Sequence, residues 1–281
     1  MLRIGLVDSG IGGFSILKAF LEMPQPANVE FIYVADSGHL PYGLKSDAYI
    51  HDRMLKIARF LINIEKIDAL VIACNTATAV SARTLRDLFP HIPVIGTEPA
   101  VKPASLATKT GHIAVAATQS TLDSDRFNQL IKRYASNCTV HKIVGSSWVE
   151  LVEAQRILPD SNVEVLQETL QAFQQYPIDQ LVLGCTHFPF LMPALGEILN
   201  ERVTIIDPAR SIVQECYKRL EDRYDIFNYS PQEEAFSESR TLKTDQVSLS
   251  LYTTGVLSHF KAQCHLLDLT TIPHTILSLE A

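Results

Sequence analysis

The segments "LVLGCTHFPF" (residues 181–190) and "LVIACNTATA" (residues 70–79) share one pattern: an apolar run, a small residue, a cysteine and then polar side chains. A short apolar run of this kind is typical of a buried strand. Cys185 and Cys74 would each follow the carboxyl end of such a strand, and each is joined there by hydroxyl, amide or imidazole groups. The chain therefore presents the same strand-end arrangement twice.

Similar apolar segments recur along the chain and alternate with segments of helical periodicity. We predict short buried strands at 3–9, 30–36, 69–74, 93–97, 112–118, 138–144, 181–185 and 203–207. Helices are predicted between them, among others at 47–65, 79–89, 121–135, 162–176 and 209–221. Such alternation indicates βαβ units, and therefore an α/β protein with parallel sheets.

A weak internal repeat divides this pattern into two halves. "IGLVDS" begins at residue 4 and "IAVAAT" at residue 113, an offset of 109, whereas "LVIACNT" and "LVLGCTH" begin at residues 70 and 181, an offset of 111. We therefore predict two similar parallel-sheet α/β domains, related by a pseudo-twofold axis and facing each other across an active-site cleft.

The same offsets set the predicted domain boundaries. The first domain would comprise residues 1–97 plus 207–281, and the second domain residues 98–206. The segment that begins with "DPARSIVQECYKRL" (from residue 207) would return to the first domain as an additional helix. Residues 228–246 are polar and lack periodicity, so we predict a loop there.

Composition excludes several classes of protein. The formal net charge of −7 in 281 residues argues against binding to nucleic acid or to an anionic membrane. No apolar run approaches the roughly 20 residues of a membrane helix, and the N-terminus does not have the pattern of a signal peptide. The five cysteines are scattered and include no C-x-x-C, which favours a reducing cytosol. We recognise no metal-ligand spacing and expect no metal.

Polar side chains collect at the predicted strand ends. Ligands of parallel α/β sheets bind outside the carboxyl ends of the strands. That rule selects a set of candidate site residues drawn from both halves of the chain: Asp8, Ser9, Cys74, Asn75, Thr76, Thr118, Cys185, Thr186 and His187.

Two thiols on opposite sides of one ligand suit the inversion of a carbon stereocentre. Inversion removes a proton from one face of the carbon and delivers a proton to the other, so it needs two acid/base groups. A free cysteine has a pKa of about 8.5 and is only a few per cent thiolate at pH 7. We expect Asp8 to assist Cys74 and His187 to assist Cys185. The alternative is that both cysteines are small core residues, which is how we interpret Cys138, Cys216 and Cys264.

Other motifs have plainer interpretations. "DSGIGG" (8–13) would be the phosphate-binding turn of a nucleotide-binding protein, but residue 15 is serine where the third glycine of that motif belongs. A tight turn between a strand and a helix is the simpler interpretation. "HLPYG" (39–43) is typical of a loop, although the Tyr42 hydroxyl could also face a ligand. Asp36 would cap a turn.

Five motifs together resemble the glutamate racemase family: "GLVDSGIGG", "LPYG", "ACNTATA", "GCTHFPF" and "YTTG" (252–255), in the order of that family. The resemblance implies a cofactor-independent racemase with two α/β domains and its active site between them. It also implies a cytoplasmic enzyme of bacterial cell-wall synthesis, expected to be a homodimer, that makes D-glutamate for peptidoglycan.

The resemblance assigns roles to matched positions. Cys74 would deprotonate D-glutamate and Cys185 would deprotonate L-glutamate, with Asp8 and His187 as their auxiliary groups. Glu153 falls where members often carry a glutamate near the active site. The remaining matched residues, together with these four catalytic groups, would bind the substrate: Ser9, Pro41, Tyr42, Gly43, Asn75, Thr76, Thr118, Thr121 and Thr186.

The chain departs from the family pattern in three places. It has Gly145 and Ser146 where many members have Cys-Pro, its polar stretch at 228–246 is long, and no N-terminal extension precedes the first strand. Members that a cell-wall precursor activates can carry such an extension, so the resemblance implies no activation of this kind here. Aspartate racemase is the nearest rival within the superfamily, and a nucleotide-binding α/β protein is the rival from another class. A related decarboxylase retains a single active-site cysteine, so the presence of both argues against it.

Overall fold

The strands of the protein form two sheets. The computed structural model describes residues 1–24, 26, 28–159, 163–222, 247–267 and 272–280. Its strands are β1 (Leu2–Asp8), β2 (Val29–Ala35), β3 (Ala69–Ile72), β4 (Val94–Gly96), β5 (His112–Ala117), β6 (Thr139–Val144), β7 (Gln180–Leu183), β8 (Thr204–Ile206), β9 (Val247–Thr253) and β10 (His274–Ser278). Every strand pair in these ranges is parallel.

The two sheets repeat one strand order. The first sheet, which defines the first domain, has the order β10-β9-β2-β1-β3-β4, and the second sheet, which defines the second domain, has the order β6-β5-β7-β8. Strands β5 to β8 begin at residues 112, 139, 180 and 204, each 110 or 111 residues after β1 to β4 at 2, 29, 69 and 94. The prediction of two similar parallel-sheet domains is therefore confirmed. The boundaries at residues 97 and 206 stay a prediction.

Helices connect the strands, as parallel pairing requires. They are α1 (Phe14–Glu22), α2 (Asp47–Arg59), α3 (Asn75–Leu88), α4 (Val101–Ala107), α5 (Gln119–Asp123), α6 (Asp125–Tyr134), α7 (Ser146–Glu153), α8 (Val163–Thr169), α9 (Ala172–Gln175), α10 (Met192–Leu199), α11 (Ala209–Glu221) and α12 (Leu257–Gln263). Across the described ranges, none of them has the length and apolar composition of a membrane span.

Capping side chains explain where two helices differ from prediction. Helix α3 begins four residues before the predicted 79–89 because the Cys74 sulfur caps it, accepting a hydrogen bond from the Ala77 N–H at 3.5 Å. The predicted helix 121–135 is divided in two because the Ser124 hydroxyl accepts from the Phe127 N–H at 3.1 Å and starts α6. Side-chain caps of this kind satisfy N–H groups that a helix leaves unpaired.

The C-terminal part adds more to the first domain than the predicted helix. Helix α11 packs on α1, with the rings of Phe20 and Tyr217 in an edge contact at 5.5 Å. In addition, β9 pairs with β2 and β10 pairs with β9, which extends the first sheet by two strands that the sequence analysis missed. The predicted loop at 228–246 lies outside the described residues.

A buried ion pair fixes the "HLPYG" loop to the first domain. Asp36 is fully buried and binds the Arg53 guanidinium through Nη2 at 2.7 Å and Nε at 3.0 Å. It also accepts hydrogen bonds from the hydroxyls of Tyr42, at 2.6 Å, and Thr254, at 2.8 Å. The Tyr42 hydroxyl thus donates its proton to Asp36 and not to a ligand. Asp36 is a structural anchor rather than a simple turn cap.

Candidate active site

A cavity of about 140 Å³ lies between the domains, at the carboxyl ends of both sheets. The thiols of Cys74, from the first domain, and Cys185, from the second, both line it. Its lining residues are Ser9, Pro41, Tyr42, Gly43, Leu44, Cys74, Asn75, Thr76, Thr118, Thr121, Ser146, Val149, Glu150, Cys185, Thr186 and His187. Every predicted site residue except Asp8 and Glu153 is in this set.

Cys74 lies at the N-terminus of α3 in a buried environment. Burial raises the pKa of its thiol, and the negative charge of the neighbouring Asp8 raises it further. The Ala77 N–H and the Ser9 hydroxyl oppose this effect by hydrogen bonding to the sulfur, but the pKa remains above its ordinary value. Cys74 is therefore held as a thiol, the form that can donate a proton.

Cys185 lies beside an imidazole that is itself paired with a carboxylate. Its sulfur is 3.7 Å from Nδ1 of His187, and Nε2 of that ring is 2.7 Å from Oε1 of Glu153. Burial alone would lower the pKa of His187, but the contacts with Cys185 and Glu153 outweigh it and raise the pKa well above 6.5. The ring of His187 is thus held by Glu153 with its second nitrogen toward the Cys185 sulfur.

Glu153 lies behind the cavity, at the last residue of α7. Its Oε1 accepts from the Ile11 N–H at 2.9 Å as well as from His187, and its Oε2 is 3.2 Å from Nε2 of Gln263. Burial alone would raise the pKa of Glu153, but these hydrogen bonds and the charge of His187 lower it overall. The group is therefore a carboxylate that binds the second domain to the first through Ile11.

Asp8 also lies behind the cavity wall and connects the two domains. Its Oδ1 accepts from the Gly10 N–H at 2.8 Å, and its Oδ2 accepts from the Thr186 hydroxyl at 2.8 Å. Burial raises its pKa, although the charge of His187 and these two hydrogen bonds act in the opposite direction. The charge of Asp8 therefore acts on the Cys74 thiol, whereas the hydrogen bond of its Oδ2 is with Thr186.

The glycines of "DSGIGG" make room for these second-domain side chains. A Cβ atom at Gly10 would overlap the Glu153 carboxylate, and one at Gly12 would overlap the imidazole of His187. The loop is thus a tight turn between β1 and α1 whose open side is filled by protein. This packing does not support the phosphate-binding interpretation of the motif.

Polar groups that could hold a carboxylate surround the thiols. The hydroxyls of Thr76, Thr118 and Thr121 lie within 3.0–3.3 Å of one another, across the domain boundary. Neither side-chain amide atom of Asn75 has a hydrogen-bond partner among the described residues. Because a buried amide is costly without a partner, we expect Asn75 to bind a ligand. The N-terminus of α3, which begins at Asn75, also favours a negative group.

Four lining residues were missed by the sequence analysis. Leu44 follows the "LPYG" motif, and Ser146, Val149 and Glu150 lie on α7. In a helix, residues three and four apart share a face, and residue 153 lies on the same face as these three. Their spacing from Glu153 is the sequence signal that could have identified Ser146, Val149 and Glu150.

The charge of His187 can be measured directly. We expect its ring to stay protonated well above pH 6.5, and Glu153→Gln to lower its pKa because the paired negative charge is lost. Nitrogen NMR of the imidazole checks this, and Glu150→Gln, which removes a cavity carboxylate without a hydrogen bond to His187, is the matched control. The raised pKa also means that His187 stabilises the fold fully below pH 6.5 and loses this contribution as pH rises through the folded-state pKa. Identical His187 titrations in Glu153→Gln and wild type would contradict the pairing.

Two parallel-sheet domains that each present a thiol to one cavity are the arrangement expected for one class of enzymes, the racemases that use two acid/base groups. In the described part of the chain, no group of three or more His, Cys, Asp and Glu side chains could hold a metal ion.

Comparison with known proteins agrees with this class. A model of the Asp/Glu/Hydantoin racemase family matches residues 15–216. The glutamate racemase of Ectopseudomonas mendocina is 40% identical over 217 residues, covering 77% of this chain and 81% of the relative. The chain belongs to the Asp/Glu/Hydantoin racemase family.

Solved structures of glutamate racemases share the fold over nearly the whole chain. The Escherichia coli enzyme in complex with L-glutamate and the activator UDP-MurNAc-Ala has a TM-score of 0.81 at 28% identity, covering 99% of this chain and 98% of that one. The Francisella tularensis enzyme in complex with D-glutamate has a TM-score of 0.78 at 27% identity, with the same coverage.

Proposed function

We propose that the protein interconverts L- and D-glutamate with Cys185 and Cys74 as the two acid/base groups. The observation that carries this proposal is that both thiols, one from each domain, line the same cavity. The family match and the glutamate racemases among the relatives support glutamate as the substrate. The solved relatives in complex with L-glutamate and D-glutamate support a cavity that accepts both enantiomers.

In the direction from L- to D-glutamate, Cys185 acts as the base. Its thiolate takes the proton from Cα, the electron pair of the broken C–H bond remains on Cα, and Cys74 donates its proton to the opposite face. The enzyme is left with Cys185 as thiol and Cys74 as thiolate, and the reverse reaction restores the first state. The His187 imidazolium stabilises one thiolate, and the N-terminus of α3 stabilises the other.

Asp8 is the proposed auxiliary group of Cys74. Its buried carboxylate lies close enough to raise the pKa of the Cys74 thiol, which keeps Cys74 protonated until L-glutamate has lost its Cα proton. When D-glutamate reacts, Cys74 must become a thiolate. The raised pKa of Asp8 then helps, because a neutral Asp8 no longer repels the thiolate.

The other matched residues are proposed to bind glutamate. The amide of Asn75 and the hydroxyls of Thr76, Thr118 and Thr121 are suited to its carboxylates, because they are hydrogen-bond donors in the cavity wall. The remaining proposed contacts, with Ser9, Pro41, Tyr42, Gly43 and Thr186, come from residues that line the same cavity.

The cellular role is proposed from the family resemblance. D-Glutamate would supply peptidoglycan synthesis, and the enzyme would act in the cytoplasm as a homodimer. All five cysteines are free, as is usual in a reducing compartment.

Substrate choice provides the direct test of this function. L-Glutamate and L-aspartate are incubated separately with the purified protein, after dialysis against EDTA and with no cofactor added, and circular dichroism follows the loss of optical activity. We expect glutamate to racemise and aspartate to react at least 10-fold more slowly, since one methylene group changes binding by about 10–200-fold. Faster reaction of aspartate, or loss of activity after chelation, would contradict the proposal.

A further inference from the structure

Gln263 is a buried side chain that the proposed chemistry does not yet use. It is the last residue of α12 and is 3% exposed. Its Nε2 group donates to the main-chain oxygen of Glu153 at 2.9 Å and to the carboxylate Oε2 of the same residue at 3.2 Å. The first bond satisfies a carbonyl near the C-terminus of α7, and the second binds the side chain that faces His187.

These contacts complete a chain of hydrogen bonds that ends at one thiol. Gln263 binds Oε2 of Glu153, Oε1 of Glu153 binds Nε2 of His187, and Nδ1 of His187 lies 3.7 Å from the sulfur of Cys185. A carboxylate held through one oxygen alone can rotate about its last carbon–carbon bond. With both oxygens bound, its plane is fixed, and so is the direction in which it meets the imidazole.

Helix α12 is itself held firmly in the first domain. Phe260 on this helix is buried against Phe14 of α1, with ring centroids 5.8 Å apart. Gln263 therefore reaches from a packed helix of the first domain to the last residue of a second-domain helix. Its position depends on the way the two domains pack, and so does the geometry of the Glu153–His187 pair.

We propose that Gln263 is a positioning residue for proton transfer at Cys185, acting through Glu153 and His187. The proposal rests on the assignment of Cys185 to the L face of the substrate. Cys74 receives its hydrogen bond from the Ala77 N–H and takes no part in this chain. Loss of the Gln263 amide should therefore impair proton abstraction on one face only.

Racemisation itself cannot reveal a one-sided defect. Two enantiomers have equal free energies in solution, so kcat/KM must be the same in both directions for every variant. An irreversible reaction removes this constraint. When 3-chloroglutamate loses its Cα proton to one thiolate and chloride from the adjacent carbon, the product hydrolyses to 2-oxoglutarate and ammonia. This elimination needs no proton donor on the opposite face.

The decisive variant is Gln263→Met, which keeps the length of the side chain and removes the donor. Lys261→Met, an exposed position on the same helix, is the matched control. Elimination is measured separately from the isomers of 3-chloroglutamate with L and D configuration at Cα. We expect Gln263→Met to lower the elimination rate from the L isomer about 10-fold, which is the effect of one ordinary hydrogen bond. The rate from the D isomer, and both rates in Lys261→Met, should be unchanged.

A second variant keeps the proposal testable if Gln263→Met does not fold. Gln263→Glu sets a second carboxylate against Glu153, so L-side elimination should fall relative to wild type at neutral pH. It should recover relative to wild type as pH decreases, because a proton shared by the two carboxyl groups restores the hydrogen bond.

Cys185→Ser, measured in parallel, distinguishes a failure of the Gln263 proposal from a failure of the assignment of one face to each thiol. Suppose that Cys185→Ser loses elimination from the L isomer only, but Gln263→Met lowers elimination from both isomers equally or from neither. Gln263 is then not a positioning residue for Cys185, and the proposed function stands. If Cys185→Ser itself lowers elimination from both isomers equally, the assignment of one face to each thiol is wrong, and this proposal is overturned with it.

Discussion

Replacing Cys185 with serine is expected to lower the rate of racemisation by about 10²–10⁴-fold, the usual loss when a positioned acid/base group is removed. A serine hydroxyl has a far higher pKa than a thiol, so it cannot act as a base at neutral pH even beside the His187 imidazolium. Cys74 would still remove a proton from D-glutamate, but no effective donor would face the other side of the carbon. Circular dichroism of the reaction with either enantiomer measures the loss.

Cys74→Ser should lower racemisation by a similar factor, and elimination separates the two variants. With 3-chloroglutamate, Cys185→Ser should retain elimination from the isomer with D configuration at Cα and lose it from the L isomer. Cys74→Ser should show the reverse. Asp8→Asn and His187→Asn should give smaller asymmetries of the same sense as their partner cysteines, because these residues act through a thiol.

Cys216→Ser is the control for the cysteine substitutions. Cys216 is fully buried on α11 and lies outside the cavity lining, so its replacement should leave the ratio of the two elimination rates unchanged. Equal loss of elimination from both isomers in both active-site variants would contradict the division of the two faces between the thiols.

Gly12→Ala is expected to lower racemisation by about 100-fold, although residue 12 is not expected to contact the substrate. A Cβ atom at this position would overlap the ring of His187, which is buried and held by Glu153. The imidazole must shift to admit the methyl group, and displacements of about 1 Å in a catalytic arrangement cost about 10²-fold in rate. Elimination should fall more for the L isomer, because His187 serves Cys185.

Gly196→Ala is the matched control for this substitution. Gly196 lies within α10, and nothing lies within 4 Å of a Cβ atom built there. Alanine should leave activity unchanged and stabilise the protein by about 0.5–1 kcal/mol, because it restricts the unfolded chain. A Gly12→Ala enzyme with wild-type activity would show that the loop and the imidazole adjust freely, contrary to the packing described above.

The electrostatic environments of the two thiols differ even though the domains repeat one strand order. Cys185 faces the imidazolium of His187, whereas Cys74 is buried near Asp8 and has a raised pKa. This difference arises from the residues around the sulfurs and not from the repeated strands.

Much of the fold could be predicted because it depends on local patterns. Runs of apolar residues located the first eight strands to within two residues at each end, and the offset of the repeat indicated that the chain has two similar domains. Strands β9 and β10 were missed. In β9, Val247, Leu249 and Leu251 are buried while the residues between them are half-buried, a period of two that was overlooked beside a long polar segment.

The sequence by itself determined which side chains stand at the strand ends. Parallel strands bring their carboxyl ends to one edge of a sheet, so Thr118 and Cys185 had to lie at that edge of the second sheet, and Cys74 at that edge of the first, once the strands were recognised. The repeated pattern then indicated that the thiols come from different domains. These conclusions need only the periodicity of apolar residues, because hydrophobic burial is non-directional and tolerates small errors of position.

Only the tertiary structure decided which polar groups serve each thiol. Glu153 lies 34 residues from its partner His187, and Gln263 lies 110 residues from Glu153, on helices that carry other polar residues. The commitment of the Tyr42 hydroxyl to Asp36 and the role of Gly12 likewise depend on contacts made by packing. Hydrogen bonds require donor and acceptor to meet within a few tenths of an ångström and with a limited range of angles. No local pattern in the sequence specifies which groups will meet so closely, because that is set by how the helices and the two domains pack.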